Sequence, residues 1–158
     1  MIRNFTKDVR KLPILSYASG TADRVSKVID TKGFDSVFIA VHFATIATSA
    51  VQDIYLQEAD AASDADTLTS GSNLAGTSQA VADDDDNQVF WIEVTKPLKR
   101  FLQLNINKDA TNACAESAIA YLYNADVSPV TDAEGTGTSG GSAVTTGETF
   151  VSPIAGTK

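Results

Sequence analysis

The chain has 158 residues, 43% of them hydrophobic, a formal net charge of −8 and one cysteine, Cys114. A domain of that length buries enough of its own surface to fold without a metal or disulfide staple, and a lone cysteine excludes an intrachain disulfide. The acidic balance argues against a nucleic-acid partner, which needs clustered Lys and Arg, and no segment approaches the length of a membrane span.

The charge is unevenly spread. Residues 1–32 hold seven basic and three acidic groups, whereas 33–158 hold five and seventeen. Two readings fit: a basic segment folded back on an acidic body, or a basic arm that docks on an acidic partner surface. Residues 1–24 are read as an N-terminal arm, with Arg3, Lys7, Arg10 and Lys11 as candidate contacts to a partner or a neighbouring subunit. The only apolar stretch in this arm, Leu12 to Leu15, is too short for the core of a secretion signal, so synthesis in a cytoplasm is expected.

From residue 25 onward period-two and continuous apolar runs predict strands. Val25 to Ile29 reads as a short first strand, and Gly33 marks the turn that follows. Asp35 to Thr45 is a second strand. Its Val37, Ile39, Val41 and Phe43 share one face, the expected core face, while Phe38, Ala40 and His42 share the other. Val51 to Glu58 is a third, with Ile54 and Leu56 opposed to Tyr55 and Gln57. Residues 59–87 are rich in Ala, Ser, Asp, Gly and Thr and predict long loops, with one short strand near Asp66 to Thr69.

Three strong strands come next. Gln88 to Thr95 sets Phe90, Ile92 and Val94 against Val89, Trp91 and Glu93. A single tryptophan in a sandwich is expected to be buried. Pro97 marks a turn or a sheet edge. Arg100 to Asn107 sets Leu102, Leu104 and Ile106 against Phe101, Gln103 and Asn105. Ala115 to Asn124 carries Ile119, Tyr121 and Tyr123 on one face; its β-branched and aromatic residues favour strand over helix. Residues 133–149 form a Gly/Ser/Thr-rich linker by composition, and "FVSPIAGTK" follows as a candidate anchor through Phe150, Val151, Pro153 and Ile154. The pattern as a whole predicts an all-β chain: a single β-sandwich over 25–132, jelly-roll-like or barrel-like, with an N-terminal arm and a flexible C-terminal tail at 133–158.

Chemistry is sparsely represented. The only imidazole, His42, lies mid-strand between Val41 and Phe43. One His and one Cys do not make a catalytic zinc site or a Cys-His pair with a local signature. Glu58 and Glu93 lie on strands, but a glycosidase needs two carboxylates at a defined separation. Asp83 to Asp86 are contiguous, without the spaced ligands and glycine of a calcium loop. Neighbouring side chains on an extended chain diverge, so a solvated loop between strands is the expected reading. No catalytic, metal or cofactor-binding residue is assigned, and no enzyme activity is expected.

Several stretches together resemble the head decoration, or cement, proteins of tailed bacteriophages. "VIDTKGFDSVFIAV" (Val28 to Val41) resembles their opening strand unit. "NLAGTSQAVADDDDNQVFWIEVTKPLKRFLQLNI" (Asn73 to Ile106) is similar to their middle section, with a Gly-Thr step, an acidic turn, a strand ending near a proline, and "KR" plus an aromatic opening the next strand. "AIAYLYNADVSPVT" (Ala118 to Thr131) and "VSPIAGTK" are similar to their last strand and tail. The loop after Glu58 departs from the pattern in lacking an aromatic residue. The resemblance implies a structural protein on the exterior of a virion, often trimeric, that clamps adjacent major capsid proteins. A carbohydrate-binding or host-attachment module on a virion is the alternative, and exposure of Trp91, Tyr55, Tyr121 or Tyr123 as a planar strip favours it.

Overall fold

The computed structural model describes residues 8–127. Twelve strands follow one another: β1 Arg10–Gly20, β2 Arg24–Val25, β3 Ile29–Asp30, β4 Phe34–Ile46, β5 Gln52–Ala59, β6 Ala61–Ala62, β7 Leu68–Thr69, β8 Ser72–Asn73, β9 Gln79–Val81, β10 Val89–Thr95, β11 Phe101–Lys108 and β12 Cys114–Ala125. They build an all-β sandwich of two antiparallel sheets. One runs β1-β12-β4-β10. The other runs β2-β11-β5-β8, with β3 also on β11 and β9 also on β5, while β6 and β7 form a separate small ribbon.

Alternation explains the first sheet. Val37, Ile39, Val41 and Phe43 of β4 are all fully buried, as are Ala120 and Leu122 of β12. They meet Ile54 and Leu56 of β5 and Leu102, Leu104 and Ile106 of β11 in one core. At about 1.5–3 kcal/mol per large aliphatic side chain, this shared core dominates the favourable side of folding.

Three features differ from the sequence reading. Residues 10–20, assigned to the arm, form an edge strand paired along β12. Leu12 and Ile14 fill the core while Pro13 lies exposed beside them. The edge position tolerates a proline that a central strand would reject. The expected strand at 25–29 is interrupted: Arg24–Val25 and Ile29–Asp30 pair with β11 at separate points. Between them the Lys27 N–H leaves the ladder for the carbonyl of Ile14 on the other sheet (2.9 Å), and the Val28 N–H donates to the Ala65 carbonyl (2.8 Å). Finally, β11 is buried on both sides. Gln103 and Asn105, opposite the core face of Leu102, Leu104 and Ile106, are only 3% and 7% exposed. The Gln103 side-chain amide donates to the carbonyls of Ser26 (2.7 Å) and Asp66 (2.8 Å), so the 59–67 loop is stapled over the sheet.

Candidate contact surface

The uncovered side of the β1-β12-β4-β10 sheet carries the largest exposed apolar groups that share one face. Strand register aligns them in rows. One row runs Pro13, Ile119, Ala40, Trp91; the next runs Lys11, Tyr121, Phe38, Glu93; a third holds Ser117, His42 and Val89. Trp91 is 56% exposed, Val89 57% and Ile119 41%. Trp91 is therefore not buried as expected. Its strand has one buried face, and that face belongs to Phe90, Ile92 and Val94, which either lie in the core or pack against it.

The aromatic rings organise the centre of this face. Phe38 lies between Trp91 (centroids 5.9 Å apart, planes 20° off parallel) and Tyr121 (6.2 Å, tilted by 49°). Tyr123 donates its hydroxyl to the Glu93 carboxylate, and this bond pushes the phenol's pKa up. Beside the face, a groove of about 430 Å³ runs along the free edge of β10, lined by Gly76, Thr77, Gln79 and Val89 to Glu93. Within it the Gln79 amide caps the Trp91 carbonyl at 2.9 Å, which blunts part of an otherwise open edge.

The charged groups do structural work. Glu116 is fully buried and bridges both sheets: its carboxylate lies 2.9 Å from the Arg24 guanidinium of β2 and 2.9 Å from Lys108 Nζ of β11. The Lys108 contact lies off the hydrogen-bonding direction, so it is an ion pair only. Lys108 also donates to the carbonyls of Gly20 (3.0 Å) and Cys114 (3.1 Å). Burial, and then the Glu116 charge, push the Cys114 thiol up to about 12. That removes it as a nucleophile at neutral pH. Arg100 grips Asp30 bidentately at 2.8 and 2.6 Å.

The aspartate run forms the loop between β9 and β10, and its carboxylates serve the backbone. Asp83 accepts from Ser49 N–H (2.7 Å), Asp85 from Ala82 N–H (2.9 Å) and Asp86 from Ile46 N–H (2.6 Å). Asp83 and Asp86 thus pin the turn that follows β4. Among the described residues no three His, Cys, Asp or Glu side chains gather in a way that could hold a metal ion. His42 sits on the open sheet face, and Glu58 and Glu93 belong to different sheets.

Of the residues assigned to a partner interface, Arg10 and Lys11 belong to β1, opposite Leu122 and Tyr121. Arg10 helps lower the pKa of Asp30 on the second sheet. Arg3, Lys7, Phe150, Val151, Pro153 and Ile154 lie outside the described residues. The outer face was partly legible beforehand: Phe38, Ala40 and His42 alternate with the core residues of β4. Pro13 joins the surface only once β1 is seen to be a strand.

No family model matches the chain. No curated protein matches it in sequence either. Among solved structures it is similar in fold to a chain described with the words "Bacillus endospore appendages form a novel family of disulfide-linked pili", at 12% identity and a TM-score of 0.41, over 78% of this chain and 94% of that one. It is also similar to a chain from the Gt strain of infectious bursal disease virus, at 12% identity and a TM-score of 0.33, over 73% of this chain and 31% of that one. Neither likeness extends to function. No helix among the described residues is long and apolar enough to cross a membrane.

Proposed function

We propose that this protein is a structural subunit that works by surface contact: a decoration protein that binds the major capsid protein on the outside of a phage head. The observation that carries this reading is the broad, flat, exposed apolar face with Trp91, Val89 and Ile119 on it. An exposed apolar patch on an otherwise acidic body marks a protein contact rather than a site for chemistry. The sequence stretches that resemble cement proteins supply the kind of partner. The titratable groups agree with a role other than catalysis: Glu116 is held between Lys108 and Arg24, and the aspartate run holds a turn.

The test is occupancy. Washed, intact particles analysed by mass spectrometry are expected to contain the chain at high copy number, and purified protein is expected to rebind particles stripped of it. Absence from such particles would remove the decoration role. Trp91, 56% exposed beside Phe38, favours one second reading, a glycan-binding module, because an exposed indole stacks on sugar faces. Quenching of Trp91 fluorescence by an oligosaccharide, with calorimetric binding of the same sugar lost in Trp91→Ala, supports that reading over the first.

A further inference from the structure

We propose that the outer face of the β1-β12-β4-β10 sheet pairs with the same face of a second copy of this chain, about a two-fold axis that runs along the strands between β12 and β4. The inference rests on the reading of this face as a protein contact surface, not on the capsid as partner; a face closed by pairing is not open to a capsid, so the pair is the form of the free chain and gives way when a capsid takes the same face.

The rows are self-complementary under that one operation. A two-fold axis along the strands keeps each row at its own height and exchanges its ends. Thus β1 of one copy lies over β10 of the other, and β12 lies over β4. In the row Pro13, Ile119, Ala40, Trp91, the proline ring of one copy meets the Trp91 indole of the other, and protruding Ile119 meets the hollow left by Ala40. In the row Lys11, Tyr121, Phe38, Glu93, the ammonium of one copy meets the carboxylate of the other, and Tyr121 meets Phe38. Every residue in the two rows finds a match of opposite charge, complementary size or shared aromatic character. The perpendicular axis, laid across the strands through the Lys11 row, places Glu93 on Glu93 and Lys11 on Lys11, and like charges facing each other select against that placement.

Packed sheets cross at about 30°, which leaves the central pairs in contact and keeps the long Lys11 and Glu93 side chains within reach. Size sets the strength. Four strands at a spacing of about 4.8 Å, over the length of β10, cover on the order of 440 Å² per copy, or roughly 900 Å² in all. That lies below the ~1,200 Å² of a standard interface, so the pair is weak and concentration-dependent.

Sedimentation velocity on the full chain, over a concentration series, reads the pairing. The chain is expected to pass from monomer to dimer, twice 16.6 kDa, with no trimer. Lys11→Glu and Glu93→Lys each place two like-charge contacts in the pair and are expected to weaken it at least about tenfold. An equimolar mixture of the two variants is expected to recover the wild-type dimer, because each copy then offers what the other needs. Ala40→Lys fills the hollow and is expected to abolish pairing. Unchanged melting temperatures confirm that these surface changes leave the fold intact. A wild-type chain that stays monomeric or forms trimers overturns the proposal, and so does a mixture no tighter than its components. A chain that pairs but leaves stripped capsids bare preserves the pairing and removes the decoration role. A monomer that occupies capsids does the reverse.

Discussion

Buried and hydrogen-bonded charges set much of the behaviour at the scale of single residues. Among the described residues Glu116 forms ion pairs with both Arg24 and Lys108, so removing it leaves these two cations without that carboxylate. Glu116→Ala is expected to cost about 3–5 kcal/mol in urea unfolding, the range for an orphaned buried charge. Lys108→Met leaves the Arg24 pair standing and is expected to cost less, about 1–3 kcal/mol for the two carbonyls that lose their donor. Cys114, with its thiol pushed up to about 12 by burial and the neighbouring carboxylate, is expected to resist alkylation at pH 8 in the native chain and to react on unfolding. The acid limb has a definite sign. Backbone N–H groups of Asn112 and Thr111, then the Asn112 side chain, lower the pKa of Asp109 to about 2. At Asp30 burial pulls the pKa upward, but Arg100 and the Lys32 N–H outweigh it and the net shift is down. A carboxylate whose folded pKa is depressed stabilises above its unfolded value, near 3.8, and loses that contribution as pH falls through the folded one. The melting-temperature gap between wild type and Asp109→Asn is therefore expected to hold above about pH 4 and to close toward pH 2.

At the scale of elements, alternation made β4, β5, β10 and β12 legible, because each buries one face and shows the other. It failed where burial is two-sided or interrupted. Gln103 looks like a solvent-facing position until the 59–67 loop is hydrogen-bonded over it, and nothing in a period-two pattern announces a loop that folds back. The segment 10–20 was misread for a different reason. The excess of basic residues over 1–32 suggests an arm, whereas an edge strand accepts them, and Pro13 as well. Leu12 decides between these descriptions. It is 1% exposed, so Leu12→Ala is expected to cost about 2–5 kcal/mol of unfolding free energy, against almost nothing for a residue in a loose arm. The aspartate run was rightly read as a turn, but its use was invisible from sequence: Asp86 and Asp83 reach back across the turn after β4. With those oxygens committed to separate backbone donors, a calcium titration by calorimetry is expected to show no saturable site. A micromolar site abolished by Asp83→Ala and Asp86→Ala would contradict the argument.

Across the whole molecule, the sequence pattern revealed a sandwich and its core face but not which outer face stays open. That depends on pairing order, since β10 and β1 become the two edges of one sheet only in the folded topology. The core residues among those described run from Val9 to Leu122. A last prediction concerns the sequence beyond them. By composition alone, 17 Gly/Ser/Thr-rich residues such as 133–149 would as a coil span on the order of 20–25 Å, enough to carry the apolar group 150–154 to a neighbouring subunit. Burial of Phe150 and Ile154 there would offset the cost of ordering the tail and add to weak contacts elsewhere through effective concentration. Truncation after Asp132, and separately the pair Phe150→Ser with Ile154→Ser, are expected to leave the melting temperature of the isolated chain unchanged while lowering occupancy on capsids. A fall in melting temperature instead would mean that the tail completes its own sandwich. Occupancy equal to that of the full chain would show that the anchor does not exist.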